Sequence, residues 1–237
     1  MSLIRPKRSV EAQKPGTNRT MIAIDPSRYR VPSRRIFARE AIVVAQNLIG
    51  AYVRHDLPEG RVGGMIVEAE AYSMFNDPGC HAYKGMTERN RAMFGSPGHA
   101  YTYFTYGNHW MLNVVVEPEG HGCAVLIRAL EAVEGLDIMR RRRPKAKSDI
   151  DLCNGPGKLS AALGIGREQY GADLLSSPLR VLVPTPAYRK RIIEAYGGIL
   201  RTTRIGLSAG CDLPYRFHLK EHPAVSVRSA KENRLRS

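Results

Sequence analysis

The chain has little cysteine and none of it is paired in sequence. Cys80, Cys123, Cys153 and Cys211 stand far apart with no C-x-x-C spacing. That suggests neither a zinc ribbon nor a disulfide framework, and predicts free thiols in a reducing compartment. There is no apolar run of the ~20 residues that a bilayer-spanning helix requires. The N-terminal stretch also lacks the apolar core of a signal peptide. The expectation is a soluble, intracellular protein, in the cytoplasm or nucleoid if bacterial and in the nucleus if eukaryotic. No internal repeat occurs. Acidic residues are scarce: 22 Asp and Glu stand against 36 Lys and Arg, giving a formal charge of +14 and a sequence pI ≈ 9.9. Such a field attracts polyanions, and nucleic acid is the leading partner class.

What is present is a chain of 237 residues, 43% hydrophobic, long enough to bury a substantial core in one large domain. Residues 1–33 are basic and Pro-containing and read as a disordered arm. Residues 34–228 read as the domain and 229–237 as a polar tail. Helices are predicted over 39–49 (stopped by Gly50), 87–94, 135–143 and 188–196, with another opened by Asn154-Gly155-Pro156-Gly157-Lys158-Leu159 and ended by Gly164. Strands are predicted over 51–55, 62–72, 99–106, 109–116, 123–130, 179–183, 203–208, 215–219 and 225–227. The sum is α+β: a single domain with a curved, mainly antiparallel sheet and peripheral helices.

Residues 67–113 organise the rest. Two strand-like runs flank a polar loop that carries His81. In the first run, alternation puts Glu68, Glu70 and Tyr72 on one face and Val67, Ala69 and Ala71 on the other. Two carboxylates inside an apolar strand need an explanation, because burying one without partners is costly. An edge strand with a wet face is one. A carboxylate held in a cleft beside an aromatic ring, the setting of a general base, is the other. In the second run Tyr101 and Tyr103 share a face. Tyr106 is out of phase with both and precedes the turn pair Gly107-Asn108, so it lies near a hairpin tip where a rigid ring can act as a wedge. An ordinary Tyr-rich strand explains the same pattern.

Further along, Arg128 interrupts an apolar strand and must reach the surface or find an anion. A salt bridge to a glutamate and a functional role both remain open. Arg140-Arg141-Arg142-Arg143 is a solvated face or a nucleic-acid contact. Lys158, with the amides at its helix start, would hold a phosphate, although the spacing is not that of a Walker loop.

Five motifs in order carry a resemblance: Ile66-Val67-Glu68-Ala69-Glu70-Ala71-Tyr72, Arg89-Asn90-Arg91-Ala92-Met93-Phe94, Tyr103-Phe104-Thr105-Tyr106-Gly107, Leu126-Ile127-Arg128-Ala129-Leu130-Glu131 and Gly155-Pro156-Gly157-Lys158-Leu159. Over residues 39–227 the chain resembles the alkyladenine-type 3-methyladenine DNA glycosylases. The resemblance implies a partly open barrel like the C-terminal domain of formyltransferases. It implies a monomeric base-excision-repair enzyme that flips alkylated purines (3-methyladenine, 7-methylguanine, hypoxanthine) out of double-stranded DNA and releases them by hydrolysis. By position it makes Glu70 the water-activating base. Tyr72, His81, Tyr103 and Leu126 become pocket walls, and Asn113 the residue that polices the purine 2-position. Tyr106 becomes the side chain that fills the duplex gap, and Arg128 a backbone contact beside the catalytic centre. Arg89, Arg91 and Lys158 are further backbone contacts. Three features depart from the family pattern. Gly79 and Cys80 stand where small alanine-like residues are expected, the loop between His81 and Arg89 is one residue short, and no indole stands near Asp212 or Leu213.

The chemistry implied needs no cofactor and no metal. Two other readings compete. A noncatalytic nucleic-acid-binding module would gain nothing from Glu70 facing phosphates. A metal-dependent nuclease built on Glu68 and Glu70 lacks His or Asp partners at ligand-like spacing.

Overall fold

The structure is a computed structural model, and it describes residues 22–105 and 107–226. Its frame is one large sheet, open rather than closed, in the order β1-β7-β2-β3-β6-β5-β4, with β9 pairing on both β3 and β8. The strands are β1 (Tyr29–Arg30), β2 (Tyr52–Leu57), β3 (Gly60–Tyr72), β4 (Ala100–Thr105), β5 (His109–Val115), β6 (Ala124–Glu134), β7 (Leu179–Pro184), β8 (Ile199–Thr202) and β9 (Arg216–Leu219). Every pairing is antiparallel. The helices are α1 (Ala41–Leu48), α2 (Leu136–Arg142), α3 (Asp149–Cys153), α4 (Pro156–Leu163) and α5 (Pro186–Ala195). The expected α+β architecture is the one observed.

β3 is the axis. It pairs with β2 along its first half, with β6 along nearly its whole length and with β9 at residues 68–70. The edge-strand explanation for its glutamates therefore fails, because residues 62–71 are all buried. Register shifts on either side of Glu68 interrupt the ladder to β6. Such irregularities re-aim side chains at the places where they occur.

The main core lies under this axis. The buried stripe of α1, Ala41, Val44, Ala45 and Leu48, joins Ile66, Val67, Ile127 and Leu130 from the sheet. A second, smaller cluster of Ala82, Met93, Phe94, Tyr101, Val115 and Ala124 sits beside the β4–β5 hairpin. α4 braces that hairpin from behind. A Cβ on Gly157 would come within 2.7 Å of the His109 ring, so only glycine permits this approach. Gly164 ends the helix at φ 64°, the left-handed conformation a helix stop requires.

Several expectations are corrected. Residues 22–33 are not a free arm: Tyr29 is buried, its ring 5.1 Å from that of Tyr52 and 5.9 Å from that of Tyr188, and β1 pairs with β7. Residues 87–94 form only a 3-10 turn at Arg91–Phe94. Asn90 breaks the helix there. Its side chain accepts from the Thr87 amide and donates to the His81 and Gly85 carbonyls, pinning the loop instead. The strand expected over 203–208 lies earlier, as β8, and residues 225–226 are not in a strand. Residues 1–21 of the expected arm, Val227, the tail over 229–237 and Tyr106 lie outside the described residues.

Candidate active site

β3 delivers its two glutamates into the sheet beside β6 and β9, and both carboxylates are completely buried. Arginines satisfy them. The Nε of Arg128 donates to Oε1 of Glu68 at 3.1 Å and its Nη1 donates to Oε2 of Glu70 at 3.2 Å. Arg216 donates from Nε to Oε1 of Glu68 at 2.7 Å, and the Ser226 amide donates to Oε2 at 2.7 Å. Arg128 has thus found its anions inside the protein. Burial opposes ionisation of Glu68, but Arg128 and Arg216 outweigh it, and the carboxyl is held below the usual range. Burial likewise opposes the charge on Arg128, and Glu70 with Glu68 more than restores it.

Glu70 has a second set of partners. Tyr72 donates its hydroxyl to Oε2 at 2.8 Å, and the Ile205 amide donates to Oε1 at 2.9 Å. Burial, reinforced by the adjacent carboxylate, pushes the Tyr72 phenol far above its ordinary pKa, so it remains a donor. Behind the ring, the Arg204 guanidinium lies 4.6 Å from its centroid. Arg204 is itself clamped by both oxygens of buried Asp77 and by the Ala71 carbonyl.

The front of Tyr72 faces a cleft. Of the residues expected there, Tyr72, His81, Tyr103 and Asn113 are brought together. Leu126 is not on the wall. It is buried in β6 opposite both Asn113 and Glu70, and Ala124, two residues earlier, takes the lining position. Glu70 is also off the wall, behind Tyr72. The unexpected lining residues are Gly79, Met93, Tyr101, Ala124 and Leu207. Of these, Tyr101 was signalled by its shared face with Tyr103. Leu207 arrives from a distant loop and left no local signal.

The aromatic wall is internally fixed. The His81 and Tyr103 rings meet edge to face at 4.6 Å, and Tyr101 and Tyr103 lie 5.4 Å apart. Nδ1 of His81 is 3.0 Å from the Tyr101 hydroxyl. His81 is exposed, yet desolvation of its ring, and then the cation of Arg89, hold the imidazole below its ordinary pKa and favour the neutral form. Asn113 donates to the Tyr101 carbonyl at 3.0 Å across the hairpin, which fixes how its amide presents to the cleft. Burial pushes the thiol of neighbouring Cys80 up to about 12, leaving it inert.

Residues 35–223 match the model of the methylpurine-DNA glycosylases. The chain belongs to that family. Three relatives each bear the name "Putative 3-methyladenine DNA glycosylase". The protein from Carboxydothermus hydrogenoformans is 46% identical over 193 residues, covering 81% of this chain and 97% of its own length. That from Rubrobacter xylanophilus is 48% identical over 171 residues, with coverage of 72% and 84%. That from Methanocella arvoryzae is 45% identical over 199 residues, with coverage of 83% and 96%. The chain is accordingly a DNA glycosylase of base excision repair, and DNA is its substrate.

For this glycosylase the remaining expected contacts divide. Arg89 and Arg91 are exposed beside the cleft, with the Arg89 guanidinium 5.5 Å from the Tyr103 ring centre. Lys158 is already engaged: its ammonium donates to Asp151 at 2.5 Å and to Asn154 at 2.7 Å. The second glycine of the Gly155-Pro156-Gly157-Lys158 motif serves the packing of α4 against His109. Among the described residues no group of three or more His, Cys, Asp or Glu is arranged to hold a metal ion. No helix among them is long and apolar enough to cross a membrane.

Proposed function

We propose that this glycosylase, as a monomer, extrudes an alkylated purine from duplex DNA into the Tyr72–His81–Tyr103 cleft. There it cleaves the N-glycosidic bond with a water activated by Glu70. The observation that carries this reading is the direct bond between the cleft's aromatic wall and a buried, arginine-held carboxylate, Tyr72 to Glu70. Ring alkylation makes a purine such as 3-methyladenine or 7-methylguanine cationic and weakens its bond to the sugar. Three tyrosine faces attract that cation, and a neutral His81 does not repel it. Hypoxanthine, which is uncharged, would react more slowly.

Glu70 keeps capacity for the water. A carboxylate offers about four acceptor positions. Three are used, by Ile205, Tyr72 and Arg128, and the free one is on Oε1. A water bound there gives its proton to Glu70 as its oxygen bonds to the anomeric carbon, while the purine departs with the electrons of the glycosidic bond. The negative charge of Glu70 also stabilises the oxocarbenium character of the sugar in the transition state. The nucleophile is water and not an amine: Lys84 is exposed on the loop beyond His81, and Lys158 is paired with Asp151. Tyr106, which follows β4, fills the gap left in the duplex.

The test is incubation with duplexes carrying one modified purine each, followed by assay for free base, an intact abasic strand and a borohydride-trapped adduct. Free base with no adduct is expected. An adduct formed at the rate of base loss would overturn the water mechanism, and tight binding without base release would leave a nucleic-acid-binding module.

A further inference from the structure

The β4–β5 hairpin has two faces, and the cleft uses only one. Alternation along β4 sends Tyr101 and Tyr103 to the cleft and Thr102 and Phe104 to the opposite side. There Phe104 pairs across the hairpin with Trp110, their rings 5.3 Å apart at 52°. Phe104 is 46% exposed, an apolar ring presented outward at an open sheet edge. It forms part of an open groove. Three exposed arginines, Arg89, Arg91 and Arg167, line this groove against a single carboxylate, Glu88. Tyr103 lines the groove as well as the cleft, so the two are separated by one ring.

We propose that this groove is a second nucleotide site, which takes an unpaired base and its phosphate from the same DNA whose damaged base occupies the cleft. The proposal rests on the reading that the cleft accepts an extruded base. Its chemistry is specific to a nucleotide. A flat base stacks on Phe104 and Trp110, as bases stack on aromatic platforms in single-strand-binding grooves. The guanidinium groups match a phosphate in charge and in fork geometry. An apolar protein partner has no use for three arginines at the rim, and a phosphate-only contact has no use for an exposed phenylalanine stacked on an indole. The position supplies the occupant. Extracting one nucleotide at the hairpin leaves the one opposite it without its pairing partner, and the outer face of the same hairpin is where that nucleotide can be held.

Trp110 is the chain's only tryptophan, so its fluorescence reports this groove directly. The experiment titrates the whole protein with an unmodified oligothymidylate of about twelve nucleotides, within the range that single-strand sites span, and in parallel with a fully paired duplex of equal length. Saturable quenching by the single strand is expected, with affinity retained in Glu70→Gln. Phe104→Ser and the double change Arg91→Ala with Arg167→Ala should each weaken it about tenfold, consistent with one lost stacking or phosphate contact. Phe104 is half exposed and its removal should leave the circular dichroism spectrum unchanged. Quenching unaffected by Phe104→Ser, or equal quenching by the duplex, would overturn the site. Neither readout requires base release, so failure here is separate from failure of the glycosylase mechanism, which base release by Glu70→Gln would signal.

Discussion

The hydroxyl of Tyr72 donates to the carboxylate of Glu70 at 2.8 Å. The ring that forms the wall of the cleft and the acid behind it are therefore a single unit. Arg128 fixes it from the β6 side and Arg204 from behind the ring. On the proposed reading, a base that stacks on Tyr72 lies one ring away from the residue that would activate its attacking water.

Replacing Glu70 by Gln should lower base release by about 10²–10⁴-fold, the usual contribution of a positioned base. Affinity for lesion-containing duplex should stay within about tenfold. Single-turnover release of free base, read beside a gel-shift titration, checks both. Turnover close to that of the unmodified protein would remove Glu70 from the mechanism.

Arg128→Ala should act first on stability. The change removes the arginine paired with buried Glu70 and leaves Glu68 with Arg216 as its ion-pair partner, and breaking a buried pair by removing one partner costs about 3–5 kcal/mol. Urea unfolding should reveal that loss. The slope of DNA binding against salt should be unchanged, because the guanidinium is spent inside the protein. A slope lower by about one unit would instead assign it to a phosphate.

Glu68 makes the fold acid-sensitive in a defined direction. Its folded pKa lies below its unfolded value, so the unfolded state binds more protons in the interval between them. The stabilisation is present in full above the unfolded pKa and disappears as pH falls through the folded one. Unfolding followed from neutral pH down to below the ordinary carboxylate range should show this decline. Glu68→Gln should be less stable at neutral pH and flatter over the same window. A parallel displacement of the two curves would contradict the linkage.

Tyr29 separates packing from hydrogen bonding. It is 9% exposed and its hydroxyl has no hydrogen-bond partner among the described residues. Tyr29→Phe should therefore be neutral or stabilising. Tyr29→Ala should cost about 3–5 kcal/mol, as large-to-small aromatic changes in cores do. Equal losses in the two variants would place the residue's contribution in its hydroxyl.

The parts legible in the sequence were those written in neighbouring residues. Alternation put Glu68, Glu70 and Tyr72 on one side of β3 and Tyr101 with Tyr103 on one side of β4. Glycines marked the ends of α1 and α4. The parts that escaped depend on residues far apart in the chain. β1 is two residues long and exists because β7 accepts it. α3 is five residues, too short to be stable without the helices and strands it packs on. The segment over 203–208 has strand-like composition, yet it crosses the back of the site so that Arg204 reaches Asp77 and the Ile205 amide reaches Glu70. Neither partner could be read from a local pattern. The same limit hid Arg216 and Leu207, and left Leu126 one layer too close to the cleft.

The buried arginines have one more effect. Arg128, Arg204 and Arg216 are matched one for one by Glu68, Glu70 and Asp77, so the interior ionic cluster sums to zero. The whole formal charge of +14 is carried by other residues. From a distance DNA meets only that outer charge, which ions screen beyond about 8 Å at physiological ionic strength. Behind the cleft, the buried cluster is neutral overall, and its field is set by fixed neighbours at about 3 Å and is little affected by salt. Raising ionic strength should therefore slow the arrival of DNA and raise KM, while bond cleavage in the bound complex, measured as kcat, stays nearly constant.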